Sequence, residues 1–255
     1  MDLSLWRIRG DRRVGSGGSL AVILVSRVSF SMRIAEIYRS IQGEGELTGV
    51  ESVFIRTSGC NLRCHYCDTP FASWFPEGDD WAVSDILDQV NRLGTSHVVI
   101  TGGEPMLFAE LVPLCDRLTS LQKHITIETA GTLFQPLHCD LMSISPKLSN
   151  SAPDPQQHPQ WHRRHETTRH APNVIQDLIQ HYQYQFKFVI AHPSDCDEVL
   201  TYLKQFPDVH RSRIMLMPEG TSQERLSHVG HWLEPYCEQS GFTFCARKQI
   251  EWFGN

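Results

Sequence analysis

Three cysteines, Cys60, Cys64 and Cys67, lie within one short stretch, TSGCNLRCHYCDTP, from Thr57 to Pro70. Thiolates at this C-x₃-C-x₂-C spacing converge only if the loop that carries them wraps around something. No fourth cysteine follows nearby. Structural zinc prefers a closed tetrahedron and usually draws a second ligand pair from some distance away. The remaining cysteines, Cys115, Cys139, Cys196, Cys237 and Cys245, are scattered singly, mostly in helix-like or strand-like patterns where a cysteine acts as a small hydrophobe. His65, inside the motif, could add a nitrogen, so a zinc site stays open at this point. A cubane [4Fe–4S] cluster meets the count differently. Each iron takes an external ligand, usually a thiolate, and three cysteines leave one iron for a substrate or cofactor.

A second chemical motif is TGGEP, Thr101–Pro105. Two glycines at the end of a strand let a ligand approach the backbone closely, and Glu104 can accept hydrogen bonds from an ammonium group. An ordinary strand-to-helix turn explains the same residues. In SIQGEGELTG, Ser40–Gly49, the Gly43-x-Gly45 pair precedes a strand instead of joining a strand to a helix, so a nucleotide-binding loop is a weak reading. His158, His162, His165 and His170 cluster in a segment rich in Pro, His and Arg. Without carboxylate or thiolate spacing beside them, they are expected in a solvated loop.

These motifs need a frame to hold them. From Met32 onward, β-rich runs begin at Ser52, His97, His124, Leu141, Phe186 and Arg213, each leading into a turn. Between them lie helical patterns with expected caps at Ser84, at Ser194, and at Thr221 with Glu224 as a capping box. Alternation of β and α implies a parallel sheet covered by helices. The link between the third and fourth runs offers little helix, so a six-stranded partial barrel, a (β/α)6 arrangement, fits better than a closed eightfold one. Residues 151–173 are expected to be loop or short irregular helix. Residues 1–31 read as a flexible or non-native leader, and residues 32–255 as a single domain.

Composition narrows the function classes. The 255-residue chain is 40% hydrophobic and 20% charged, ordinary for a globular protein, and its net charge of -6 lacks the basic excess of a general nucleic-acid binder. No apolar run is long enough for a membrane span. The eight cysteines suit a reduced, cytoplasmic setting with a metal better than a disulfide framework.

The cysteine loop resembles that of the radical S-adenosylmethionine (SAM) superfamily, including the aromatic Tyr66 before the last cysteine, and TGGEP resembles the superfamily's Gly-Gly-Glu-Pro motif, which holds the methionine amino group. In order, EIYRSIQGEG, FIRTSGCNLRCHYCDT, VVITGGEP, IETAGT and SISPKLSNS resemble the 7-carboxy-7-deazaguanine synthase family of the queuosine pathway. The likeness runs from about Ile34 and thins after Ser151. It implies a lyase, a radical SAM (β/α)6 barrel and a homodimer. The implied reaction contracts the ring of 6-carboxy-5,6,7,8-tetrahydropterin to 7-carboxy-7-deazaguanine with loss of ammonia. Implied cofactors are a [4Fe–4S] cluster on Cys60, Cys64 and Cys67, SAM, and Mg²⁺ held by Thr69. Tyr66, Cys67, Asp68, Gly103, Ser145, Pro146 and Lys147 would line SAM. Ile41, Gln42, Gly43, Arg56 and Thr101 would contact the pterin, with Arg56 reaching its anionic group. Arg56 could equally be a surface ion pair, and Lys147 a solvated charge. The ending RKQIEWFGN resembles the family's last strand. An electron donor such as flavodoxin or ferredoxin is implied as partner, with no nucleic acid and no membrane. Two alternatives remain: a glycyl-radical-enzyme activase, which shares the cysteine spacing, and a non-enzymatic zinc or iron–sulfur module.

Overall fold

The computed structural model of the protein describes residues 31–254. The expected leader, residues 1–31, lies outside the described residues except for Ser31. Strands β1 (Ser31–Ile41), β2 (Glu51–Thr57), β3 (Asp79–Ala82), β4 (His97–Gly102), β5 (His124–Thr129), β6 (Leu141–Ile144), β7 (Tyr184–Ile190), β8 (Ile214–Pro218) and β9 (Thr243–Phe244) alternate with helices. These are α1 (Val83–Leu93), α2 (Leu111–Ser120), α3 (Pro159–Thr168), α4 (Pro172–His181), α5 (Pro193–Leu203), α6 (Gln223–Ser240) and α7 (Lys248–Phe253). All strands join one open sheet in the order β3-β1-β2-β4-β5-β6-β7-β8-β9. The six strands read from the sequence are β2, β4, β5, β6, β7 and β8, consecutive parallel neighbours that make the partial (β/α)6 barrel. Antiparallel β1 and β3 extend one edge, and short β9 extends the other.

Each parallel strand alternates between two environments, because successive side chains leave opposite faces. Val53 and Ile55, Val98 and Ile100, Ile125 and Ile127, Met142 and Ile144, Phe186 and Phe188, and Ile214 and Leu216 form one apolar core with the helices. The other phase carries Arg56, Thr101, Thr126, Glu128, Ser143, Gln185 and Lys187. The barrel therefore has a polar lumen inside an apolar helix–sheet seam. Strand β5 runs to β6 without a helix, as expected.

Several local expectations shift. Ser84 lies inside α1, because β3 runs straight into the helix and Ala82 is its cap. Ser194 is likewise inside α5, which starts at Pro193 with a capping box between His192 and Asp195; proline suits a first turn that needs no N–H. In α6 the cap is Ser222, which accepts from the Arg225 N–H at 3.2 Å, one residue beyond the expected Thr221. The segment 151–173 is not mainly loop: it holds α3 and the start of α4, each opened by a proline. Its periodicity is hidden because the buried residue of α3 is a histidine, His165. The ending expected as a strand folds instead as α7, anchored by the Lys248 N–H on Gly43 O at 3.0 Å.

Candidate active site

At the C-terminal mouth of the strands opens a cavity of about 580 Å³, lined in part by Arg56, Cys60, Cys64, Cys67, Glu128 and Lys187. Register explains why distant segments meet there. Arg56 pairs with Thr101 across β2 and β4, and Glu128 pairs with Ser143 across β5 and β6.

The cysteine loop leaves β2 and is held by its own backbone and by three later segments. The Arg63 guanidinium donates to Cys60 O and Leu62 O, both at 2.7 Å. The Trp74 indole N–H donates to Cys64 O at 2.9 Å, and Asn61 donates to Thr132 Oγ1 at 2.9 Å. The His65 N–H donates to Ser151 O at 3.0 Å, and the Arg63 N–H donates to His165 Nδ1 at 3.2 Å. Burial pushes the Cys60 thiol up to about 11 and the Cys64 thiol up to about 12. Such thiols ionise only against strong positive charge, which is what coordination to iron supplies. Among the described residues no group of three His, Cys, Asp or Glu side chains is spaced to grip a single metal ion. Three thiols that line one cavity without converging on a single point suit a larger, multi-iron body whose corners are apart.

The TGGEP turn locks this loop. A Cβ on Gly103 would lie 2.0 Å from Gly59 O and 2.5 Å from Ala72 O, so only glycine lets the turn pass beneath the cysteine loop. Glu104 does not face the cavity. Its buried carboxylate accepts from the Met106 N–H at 3.1 Å, Thr129 Oγ1 at 2.8 Å and the Ala130 N–H at 2.8 Å. Burial raises its pKa against these bonds. The ammonium contact expected of Glu104 is thus replaced by a brace between two turns.

A charged cluster that the sequence reading missed forms the floor. The Lys187 ammonium donates to Glu44 at 2.9 Å and to Glu128 at 3.1 Å. Arg247 donates to Glu44 at 3.2 Å and also pairs with Asp68, and Gln249 donates to Glu44 at 2.7 Å. Burial works against the Glu44 carboxylate, but the Lys187 and Arg247 cations prevail and bring its pKa down to about 2. Burial likewise opposes the Lys187 charge, and Glu128 and Glu44 override it upward. The two glycines around Glu44 let its loop slip inward. A Cβ on Gly43 would meet Gln249 at 2.2 Å, and one on Gly45, at φ +78, would meet Gln185 at 2.4 Å. Glu128 and Lys187 sit at the polar phase of strands dominated by Ile and Phe, and that interruption is the signal that could have found them. Arg247 and Gln249 had no such signal, since they meet Glu44 across more than 200 positions.

Of the residues singled out beforehand, Ile41, Gln42, Gly43, Arg56, Tyr66, Asp68, Thr69, Thr101, Gly103, Ser145 and Lys147 line the same cavity with the three cysteines. Pro146 does not; it is buried behind the rim. Arg56 is both a lining residue and an ion pair, bonded to Glu36 at 2.7 Å and to the Tyr38 hydroxyl at 2.9 Å. Lys147 is not a free solvated charge, because its ammonium donates to Ser145 O and Oγ at 2.9 and 2.8 Å. The Thr69 hydroxyl lies 3.8 Å from Cys67 Sγ. The histidine cluster is a solvated loop only in part: His158 and His170 are exposed outside the helices, whereas His162 and His165 lie on α3. His165 is fully buried between Arg63 N and Ser151 Oγ, His158 packs on Trp74, and His162 bonds Pro153 O.

A sequence profile of the Radical SAM superfamily matches residues 54–191. The 7-carboxy-7-deazaguanine synthase of Rhodopirellula baltica is 47% identical over 88% of this chain and 88% of its own. The enzyme of the same name from Halobacterium salinarum is 37% identical over 94% of each chain. The crystal structure of QueE from Escherichia coli shares the fold, with a TM-score of 0.66, 24% identity, and coverage of 85% of this chain and 93% of that one.

Proposed function

The chain belongs to the radical SAM superfamily and, within it, to the 7-carboxy-7-deazaguanine synthase family, and on that premise we propose how its cavity acts. The reaction converts 6-carboxy-5,6,7,8-tetrahydropterin to 7-carboxy-7-deazaguanine and ammonia. Substrate and products differ only by that ammonia, so the conversion consumes no electrons overall. A [4Fe–4S] cluster with SAM supplies, when bound, the one-electron cleavage that yields a 5′-deoxyadenosyl radical. Cys60, Cys64 and Cys67, which line the cavity, would hold the cluster through their thiolates. Tyr66, Asp68, Gly103, Ser145 and Lys147 would shape the SAM side of the cavity.

The observation that carries the substrate reading is the floor of Glu44, Glu128 and Lys187 in the same cavity as the thiols. A pterin presents an amino group and ring N–H donors beside a carbonyl acceptor, which pair with carboxylates and an ammonium respectively. Gln42, whose amide donates to Glu128 at 3.4 Å, would hold the ring edge, and Arg56 the anionic group. A fixed polar floor places the reacting ring carbon against the radical source and replaces water around it. Mg²⁺ on Thr69 belongs to the same proposal, supported by a hydroxyl that lines the cavity beside the cysteine loop; an oxygen donor suits that hard cation.

Residues 32–255 act as one catalytic unit in this proposal, supported by one sheet and one principal core among the described residues. A homodimer is supported by the exposed apolar side chains Trp252 and Phe253 at the C-terminus, and sedimentation of the reconstituted protein tests it. A reduced cytoplasmic setting is supported by all eight cysteines being free thiols. The activity test is anaerobic reconstitution with iron and sulfide, followed by incubation with SAM, a reductant and the pterin. Formation of the deazaguanine with ammonia is expected. A protein that binds zinc in place of iron would refute the reading.

A further inference from the structure

We propose that the outward face of α3 is the docking surface for an acidic one-electron carrier protein, and that electrons enter the cluster loop through Trp161 and Arg63. The inference rests on the reading of Cys60, Cys64 and Cys67 as cluster ligands that need a reductant.

Charge is the first observation. The chain carries a net -6, yet Arg163 and Arg164 lie side by side, exposed, on α3. Neither has a salt-bridge partner among the described residues, whereas the neighbouring Glu166 is turned to Arg169 at 2.8 Å and so does not neutralise them. Histidines flank the pair, with His158 exposed and His162 half-buried. Asp154, at the approach to the helix, has its carboxylate engaged by the Gln156 and Gln157 N–H groups. A local cationic face on an anionic molecule selects partners of opposite sign and speeds their encounter.

Position is the second. The helix lies directly against the outside of the cysteine loop. His165 Nδ1 receives the Arg63 N–H at 3.2 Å, and the Arg63 guanidinium stacks 4.0 Å from the Trp161 ring centroid. Arg164 lies 5.2 Å from the same ring centroid, so the indole is in contact with both an exposed arginine and a buried one. Arg63 in turn donates to Cys60 O at 2.7 Å. A continuous chain of contacts thus runs from the basic surface to the carbonyl of the first thiolate residue. The opposite side of the loop is the cavity that SAM and substrate must fill, which leaves the α3 side for a protein-sized reductant. In the transfer the carrier loses one electron and the oxidised cluster gains it; no bond is made or broken.

The test is stopped-flow reduction of the reconstituted cluster by flavodoxin hydroquinone, with dithionite as a small reductant that needs no docking surface. In Arg163→Glu with Arg164→Glu, the flavodoxin concentration giving half-maximal rate is expected to rise by about tenfold or more, and the salt dependence seen in the parent to flatten. Iron content and reduction by dithionite stay unchanged. Arg117→Glu, a matched exposed charge in the last turn of α2 at the other end of the barrel, leaves flavodoxin reduction as in the parent. Unaltered flavodoxin kinetics in the double variant, or an equal loss in Arg117→Glu, would overturn the proposal. The readout is cluster reduction, so failure of the pterin reading would show separately as absent product under dithionite.

Discussion

Replacing Lys187 by Met tests the charged floor most sharply. The Lys187 ammonium bonds Glu44 at 2.9 Å and Glu128 at 3.1 Å, and its side chain is only 5% exposed. Removing it strands two carboxylates in the lumen, with Arg247 and the Gln249 amide left on Glu44. The Lys187 and Arg247 cations together bring the Glu44 carboxyl down from its ordinary 4.5 to about 2, so Lys187 supplies part of that stabilisation at neutral pH. Breaking a buried pair by deleting one partner typically costs about 3–5 kcal/mol. With a urea slope of about 2–3 kcal/mol/M, the unfolding midpoint should fall by about 1 M. The sign with pH follows from the lowered carboxyl: its stabilisation is complete above 4.5 and is lost as pH falls toward 2. The gap between parent and variant should therefore narrow between about pH 4.5 and about pH 2. Anaerobic urea denaturation followed by tryptophan fluorescence measures both. A loss under about 1 kcal/mol at neutral pH, or a gap that does not narrow, would refute the electrostatic reasoning.

Other outcomes follow from single contacts. Gly103→Ala drives a Cβ to 2.0 Å from Gly59 O, so the reconstituted variant should hold clearly less iron than the parent; unchanged iron would dismiss the lock between the two loops. His165→Gln should lower thermal stability by about 1–3 kcal/mol, the cost of one poorly satisfied buried polar group. Burial holds His165 neutral, near 4 instead of 6.5, so the parent loses stability as pH falls through that window and the variant's acid limb should be flatter. Thr69→Ala should weaken the response of activity to added Mg²⁺ while iron content stays constant, and loss of the cluster would contradict the assignment of its hydroxyl.

The parallel strands were legible because alternation of large apolar and small or polar residues is a local signal, as in HITIET and YQFKFVI. The same alternation marked Glu128 and Lys187 as lumen residues, but reading them needs the barrel's inside to be distinguished from its outside, which requires the neighbouring strands. The cysteine loop and TGGEP declared themselves by residue type and spacing. Their division of labour did not: Glu104 looks like a ligand contact in sequence and is a brace in space, because three hydrogen-bond donors from elsewhere reach it first. Helix α3 escaped because its inward residue is a histidine and its proline start resembles a loop. The C-terminal helix escaped because nothing local announces that Arg247 and Gln249 will close on Glu44.

The most direct measurement is product formation by the anaerobically reconstituted protein, with deazaguanine, ammonia, methionine and 5′-deoxyadenosine quantified together. The account predicts that 6-carboxy-5,6,7,8-tetrahydropterin gives 7-carboxy-7-deazaguanine and ammonia in equal amounts. Because the conversion consumes no electrons, product should exceed the methionine released. SAM cleavage without any deazaguanine, in a protein carrying a full cluster, would contradict it.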